Sequence, residues 1–117
     1  MTEVKTILES FCKLDGVRGA LVVEAGGQVQ ESACGPDVDV EGIARLVDAS
    51  STLGRQTAST LGLEGVTQSY VEYEAFTVTA ESFGDRALVV VASAGANLGR
   101  LRLEIRKNKK MLESLGG

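Results

Sequence analysis

Apolar residues recur at helical spacing near both ends of this 117-residue chain and once in its middle. The first segment runs over residues 2–14, and the last begins after Asn97, a residue suited to cap a helix. The middle segment begins after Asp39, also a capping residue, and ends at Gly62, which can adopt the left-handed cap conformation. Three amphipathic helices are predicted, with the apolar face of the second on a sheet. Their stripes are Val4, Ile7, Leu8, Phe11 and Cys12; Ile43, Leu46, Val47, Ser50, Gly54, Thr57 and Leu61; and Leu98, Leu101, Ile105, Leu112 and Leu115.

Runs of β-branched residues between the helical segments predict strands. Residues 17–24 form the first, and Gly26-Gly27 suits a tight hairpin turn that returns the chain over residues 28–33. The run 66–82 is too long for one strand, which places a turn at Glu74-Ala75. Gly84 suits a second hairpin turn, and the very apolar run 86–93 predicts a central strand buried on both faces. The predicted order is α-β-β-α-β-β-β-α.

Composition indicates one globular domain spanning residues 1–117, since 44% of residues are hydrophobic, 24% are charged, and only one proline is present. No apolar run approaches the roughly 20 residues of a membrane span, so membrane insertion is not expected. Cys12 and Cys34 are too few for a disulfide framework or a zinc site, which favours a reducing, cytoplasmic setting. Cys12, on the first apolar stripe, is interpreted as a small buried hydrophobic residue.

Charge is unevenly distributed along the chain, whose net charge is −4. Residues 100–117 carry six basic and two acidic side chains, so the last helix is locally basic. A basic helix can bind nucleic acid or anionic lipid, but this segment has no aromatic residue on which a base could stack, and the remainder of the chain is acidic. The charges are therefore interpreted as a solvated face, and no nucleic-acid partner is expected.

Residues for catalysis are scarce. Histidine is absent, and no phosphate-binding loop with its lysine is present; the segment 95–99 lacks that lysine. Glu72 and Glu74 share one face of a probable edge strand, where carboxylates more often act as solubilising charges. No enzymatic activity, cofactor or metal is expected of the chain itself.

Four motifs together resemble the roadblock and dynein-light-chain family, including its bacterial gliding-motility GTPase regulators. They are GVRGALVVEAGG at 16–27, LGRQTA at 53–58, GDRALVVV at 84–91 and ANLGRLRLEIRK at 96–107. The resemblance implies an α/β fold, α+β layered and profilin-like. Its five-stranded antiparallel sheet would carry one helix on one face and two on the other.

The resemblance also implies a homodimer formed through the third strand and second helix, which regulates or scaffolds a Ras-like small GTPase. Small residues spaced seven apart on one flank of the second helix suit close approach of a second copy. The predicted dimer interface is Ala44, Ser51, Ala58, Tyr70 and Glu72. The predicted GTPase-binding ridge is Arg45, Asp48, Thr52, Gln56 and Ser59.

Three functions remain open at this point. The first is a non-enzymatic regulator that at most activates a partner GTPase, with Arg45 or Arg55 as a candidate arginine finger. The second is a structural adaptor of a motor or signalling complex, with no effect on nucleotide turnover. The third is a small-molecule sensor or enzyme on a profilin-like sheet.

Overall fold

Helices and strands follow the predicted order in the computed structural model, which describes residues 2–63 and 68–116. The elements are α1 Thr2–Cys12, β1 Val17–Glu24, β2 Val29–Cys34, α2 Val40–Thr60, β3 Gln68–Glu72, β4 Phe76–Phe83, β5 Arg86–Ser93 and α3 Leu98–Gly116. All strand pairs described are antiparallel, and the sheet order is β2-β1-β5-β4-β3. The predicted fold class is therefore confirmed.

The three predicted turns between strands occur at the predicted residues. Gly26 and Gly27 have φ values of +90° and +86°, and Gly84 has a φ of +62°. Residues other than glycine rarely adopt this positive-φ backbone conformation. The long run also turns as predicted, because the amide of Tyr73 donates to the carbonyl oxygen of Phe76 at 2.8 Å. The first two residues of the predicted run 66–82 lie outside the described residues.

The central strand β5 separates two hydrophobic clusters. Leu88, Val90 and Ala92 lie in the cluster covered by α1 and α3, whereas Val89 and Val91 lie in the cluster under α2. Successive strand residues point to opposite faces, so an uninterrupted apolar run is what a strand covered on both sides requires. The expectation of one helix on one face and two on the other is confirmed.

Side-chain caps fix where α2 and α3 begin. Oδ1 of Asp39 accepts a hydrogen bond from the amide of Gly42 at 3.0 Å, and Oδ1 of Asn97 accepts one from Arg100 at 3.0 Å. These bonds satisfy amides that have no partner within the helix. On α3 the predicted stripe is buried at Leu101, Ile105 and Leu112, while the side chain of Leu115 lies outside the described part.

The apolar stripe predicted for α2 is correct only in its first turns. Ile43 and Val47 are buried against the sheet, but Thr57 and Leu61 are exposed. A helix of 21 residues is about 31 Å long, and the α2 residues of the sheet-facing core all lie in its first half. The later turns therefore leave apolar side chains open to solvent.

Cys12 is exposed rather than buried, so the interpretation as a core residue was wrong. Helix α1 ends at this residue, and its Sγ donates to the carbonyl oxygen of Ala33 at 2.7 Å. Partial burial of the sulfur, with a smaller contribution from the nearby Glu9 carboxylate, raises the pKa of the Cys12 thiol. The thiol thus stays protonated at neutral pH.

Slow alkylation of Cys12 is the expected consequence, because the thiolate is the nucleophile and the raised pKa lowers its population. In a Cys34→Ser variant, the iodoacetamide rate should rise with pH to a higher midpoint than in the same variant unfolded in urea. The unfolded chain is the matched control. Identical pH profiles in the two states would contradict the assigned environment.

Glu81 and Lys109 form an ion pair between β4 and α3, with Oε1 and Nζ 3.5 Å apart. Glu81 is buried, so Lys109→Met should lower the free energy of unfolding by about 1–3 kcal/mol, because an ionised carboxylate is left without its cation. Urea titration followed by circular dichroism measures this change. Glu81→Gln in the same background should recover part of the loss, and wild-type stability of Lys109→Met alone would show that the pair contributes nothing.

Candidate interaction surface

The outward side of α2 carries most of the predicted ridge. Arg45, Thr52, Gln56 and Ser59 are exposed, as a surface that contacts a partner requires. Asp48 differs, because it is half-buried against the β1–β2 turn. A Cβ added at Gly27 would lie 3.2 Å from the Cβ of Asp48. The ridge thus consists of four exposed residues, with Asp48 at its base.

A cleft lined by both charged and apolar side chains lies between α2 and the strand ends at residues 23–25, 82 and 84–87. Arg55 lines one wall and donates to Oγ1 of Thr52 at 3.3 Å. Arg86 lines the other wall, lies 4.7 Å above the centre of the Phe83 ring, and donates to Gln30 at 3.0 Å. Both guanidinium groups are thus engaged within the subunit.

No group of three or more metal-ligating side chains occurs among the described residues. In the same ranges, no helix is both long and apolar enough to cross a membrane.

The predicted small-residue flank of α2 is not an exposed stripe. Ala44 is 1% exposed and belongs to the core under the helix, and Ala58 is 5% exposed. Ser51 is half-buried and lines the cleft between α2 and the strand ends. The expected surface position of Ala44 was wrong, because this residue packs into the core beneath α2. Ala58 is also buried, but it lies near the end of the helix and lines an open groove there.

Exposed leucines lie in the second half of α2 and just after its end. Leu53, Leu61 and Leu63 are 65%, 67% and 60% exposed. They line one shallow groove with Ser50, Gly54, Thr57 and Ala58. We call this groove the leucine flank. The amide of Leu63 donates to the carbonyl oxygen of Ala58 at 2.7 Å, which fixes the end of the groove. Sequence reasoning assigned Leu61 to the sheet and gave Leu53 no role as a contact.

The strand β3 lies at one edge of the sheet and pairs only with β4 in the part of the chain described. Tyr70 lies opposite Thr79, and Val71 opposite Val78. Opposed residues share a face, and Val78 belongs to the cluster under α2. Val71 therefore lies on the α2 side of the sheet.

The two predicted interface residues of β3 lie on the other side of the sheet. Tyr70 and Glu72 are exposed on the face covered by α3. The sheet therefore separates Tyr70 and Glu72 from the leucine flank. Val71 lies on the same side of the sheet as α2, and the backbone edge of β3 is open to both sides. Glu74, predicted to share a strand face with Glu72, lies in the turn before β4.

A profile of the Roadblock/LC7 domain matches residues 3–93, from α1 through β5. The chain belongs to the Roadblock/LC7 domain family. Both α2 and β3 lie within the matched segment, whereas α3 follows it. The recognition made from the four sequence motifs is thus confirmed.

Known proteins resemble the chain over nearly its whole length. Protein MJ0714 of Methanocaldococcus jannaschii is 28% identical over 112 residues, which cover 96% of this chain and 95% of that protein. MglB of Myxococcus xanthus superposes with a TM-score of 0.89 at 20% identity, covering 98% of this chain and 95% of that one. An MglB structure with a tetrameric arrangement gives a TM-score of 0.85 at 21% identity and covers 97% and 87% of the two chains. At these identities the structures establish a shared Roadblock/LC7 fold.

Proposed function

We propose that the chain is a homodimeric, non-enzymatic regulator of a Ras-like small GTPase. The observation that carries this proposal is the leucine flank on α2, combined with the open edge of β3 in the same subunit. Exposed apolar patches and unpaired strand edges are features that soluble proteins normally cover. A second copy of the chain covers both at once.

The dimer is proposed to form by pairing β3 with β3 of the second copy. Such an interface is isologous, because each subunit contributes the same surface to its partner. The backbone of β3 supplies hydrogen bonds, while Val71 and the leucine flank supply apolar contacts on the α2 side. The tetrameric arrangement described for MglB supports self-association as a property of this kind of domain.

The partner surface is proposed to be the exposed ridge of α2, namely Arg45, Thr52, Gln56 and Ser59. Membership of the Roadblock/LC7 family supports a role in regulating or scaffolding GTPases. Between Ala49 and Thr60 the only charge is Arg55, and low charge is typical of the core of an interface. The four ridge residues are exposed on the outer side of α2.

Regulation is proposed to act on the partner's own catalytic residues. A regulator can shift the partner between its GTP- and GDP-bound states only if it binds them with different affinities. The chain is proposed to bind the GTP-bound form more tightly. Of the two candidate arginines, Arg55 donates to Thr52, whereas Arg45 has no hydrogen bond or ion pair to another described residue. Arg45 is the arginine proposed to contact the GTPase.

Replacing Leu53 with glutamate should convert the dimer to a monomer of 12.3 kDa, because it places a charge in an apolar contact. Light scattering after gel filtration reports the mass, and circular dichroism should stay native, since Leu53 is exposed in the subunit. Leu103→Glu is the matched control, because Leu103 is exposed on α3, on the other side of the sheet.

The control should remain dimeric. A wild-type protein that is monomeric at micromolar concentration would contradict the proposed dimer. A Leu53→Glu protein that stays dimeric would instead place the interface away from the leucine flank. Ala58→Glu does not serve for this test, because Ala58 is buried and the change should unfold the subunit.

Arg45→Ala and Gln56→Ala should each weaken binding to the GTP-bound partner by roughly fivefold or more, if these residues are central contacts. Calorimetric titration against the GTP- and GDP-loaded partner, identified by pull-down from the native host, measures both affinities. Lys5→Ala, an exposed change on α1, is the matched control and should bind like the wild type.

Dimer mass and thermal stability should be unchanged in all three variants. Equal affinity for the two nucleotide states, together with an unchanged rate of GTP hydrolysis, would contradict regulation and support the passive adaptor.

A further inference from the structure

The outward face of α3 combines basic and apolar side chains. Leu103 and Met111 are 68% and 51% exposed, although Leu101, Ile105 and Leu112 on the same helix are buried in the core. Exposed cations lie beside the two apolar residues, and Lys107 falls between them at the i, i+4, i+8 spacing of one helical row. We call the surface formed by Leu103, Arg106, Lys107, Lys110 and Met111 the basic face.

These cations are not needed to hold α3 on the sheet. Lys109, on the inner side of the helix, forms the ion pair with Glu81. Arg106, Lys107 and Lys110 form no ion pair with a carboxylate in the described ranges, and Glu104 is half-buried. The basic face is thus a local positive surface on a chain whose net charge is −4.

We propose that the basic face binds the surface of an anionic lipid bilayer, with α3 lying along the membrane plane and not crossing it. A helix that mixes Lys and Arg with exposed apolar side chains suits this environment, because headgroups attract the cations while the apolar chains enter the boundary below them. The same segment has no aromatic residue to stack on nucleic-acid bases.

An acidic protein groove fits the basic face less well. Helices that dock in grooves present a continuous row of apolar anchors at i, i+3, i+4 and i+7. Here Lys107 interrupts the row between Leu103 and Met111, so the apolar contact is shallow. A shallow contact with many surrounding cations is what a lipid surface supplies.

The position of α3 in the fold determines how the chain would be oriented on the membrane. Helices α1 and α3 cover one side of the sheet and α2 covers the other, so a membrane bound at α3 leaves the α2 ridge facing away from the bilayer. Leu101 and Ile105 of α3 line a crevice with Tyr70 of the edge strand β3. In the dimer proposed above, on which this step alone rests, pairing at β3 brings two basic faces close together and strengthens binding through avidity.

Sedimentation of the full chain with vesicles tests the proposal. Vesicles of phosphatidylcholine containing phosphatidylglycerol should bind the protein, vesicles of phosphatidylcholine alone should not, and added salt should weaken the binding. Absence of binding to the anionic vesicles at low salt would overturn the proposal. Tighter binding to polyglutamate or to a DNA duplex than to these vesicles, at the same salt, would also overturn it.

Variants locate the contact on α3. Lys107→Gln combined with Lys110→Gln should weaken vesicle binding about 25-fold, since each surface cation contributes roughly fivefold. The matched control, Lys107→Arg combined with Lys110→Arg, keeps the charge and should bind like the wild type. Leu103→Ser should weaken binding with no change in charge. Wild-type binding by the double glutamine variant or by Leu103→Ser would overturn the assignment to the basic face.

Light scattering separates this inference from the proposed dimer. The double glutamine variant should keep the wild-type mass and circular dichroism, because both lysines are exposed. The Leu53→Glu protein should still bind the anionic vesicles, more weakly if it has become a monomer. A wild-type protein that is monomeric and still binds the anionic vesicles would contradict the proposed dimer, and not the basic face.

Discussion

Burial of β5 on both faces is the constraint on which the rest of the structure depends. Its alternating side chains, such as Val90 and Val91, enter two separate cores, so helices must cover both sides of the sheet. The pair α1 and α3 covers one side, and the first half of α2 covers the other. Because the helices cover the two faces of the sheet but not the edge formed by β3, this strand remains an open edge.

Elements with strong local signals could be predicted from the sequence. The run 17–24 alternates between two cores and is bounded by glycines, and Asp39 and Asn97 cap helices through their own side chains. These signals act over a few residues, so neighbouring residues suffice to interpret them. The family, too, follows from short motifs that keep their order along the chain.

The candidate surface was harder to predict, because it depends on how elements pack. Periodicity groups Ala44 with Ala58, but only packing shows that both are buried in the subunit, Ala44 in the core under α2 and Ala58 at the groove near the end of the helix. In the same way, alternation along β3 separates Tyr70 from Val71, but only the register with β4 shows which of them shares a face with α2. Leu61 was misplaced because a helical wheel does not show where the underlying sheet core ends.

Leu53 and Leu61 do not pack against the sheet, and their exposure makes the surface of α2 different from that of an ordinary solvated helix. Folding of the subunit already buries Ile43 and Val47, so Leu53 and Leu61 add nothing to that core. Exposed leucines carry no folding advantage, and together with an open strand edge they favour association between chains. The same reasoning applies to Leu103 and Met111 on α3, where the surrounding cations change the nature of the expected partner. Two exposed apolar surfaces thus lie on opposite sides of one sheet, one with few charges and one surrounded by cations. The partners proposed for α2 and for α3 would therefore not compete for the same surface.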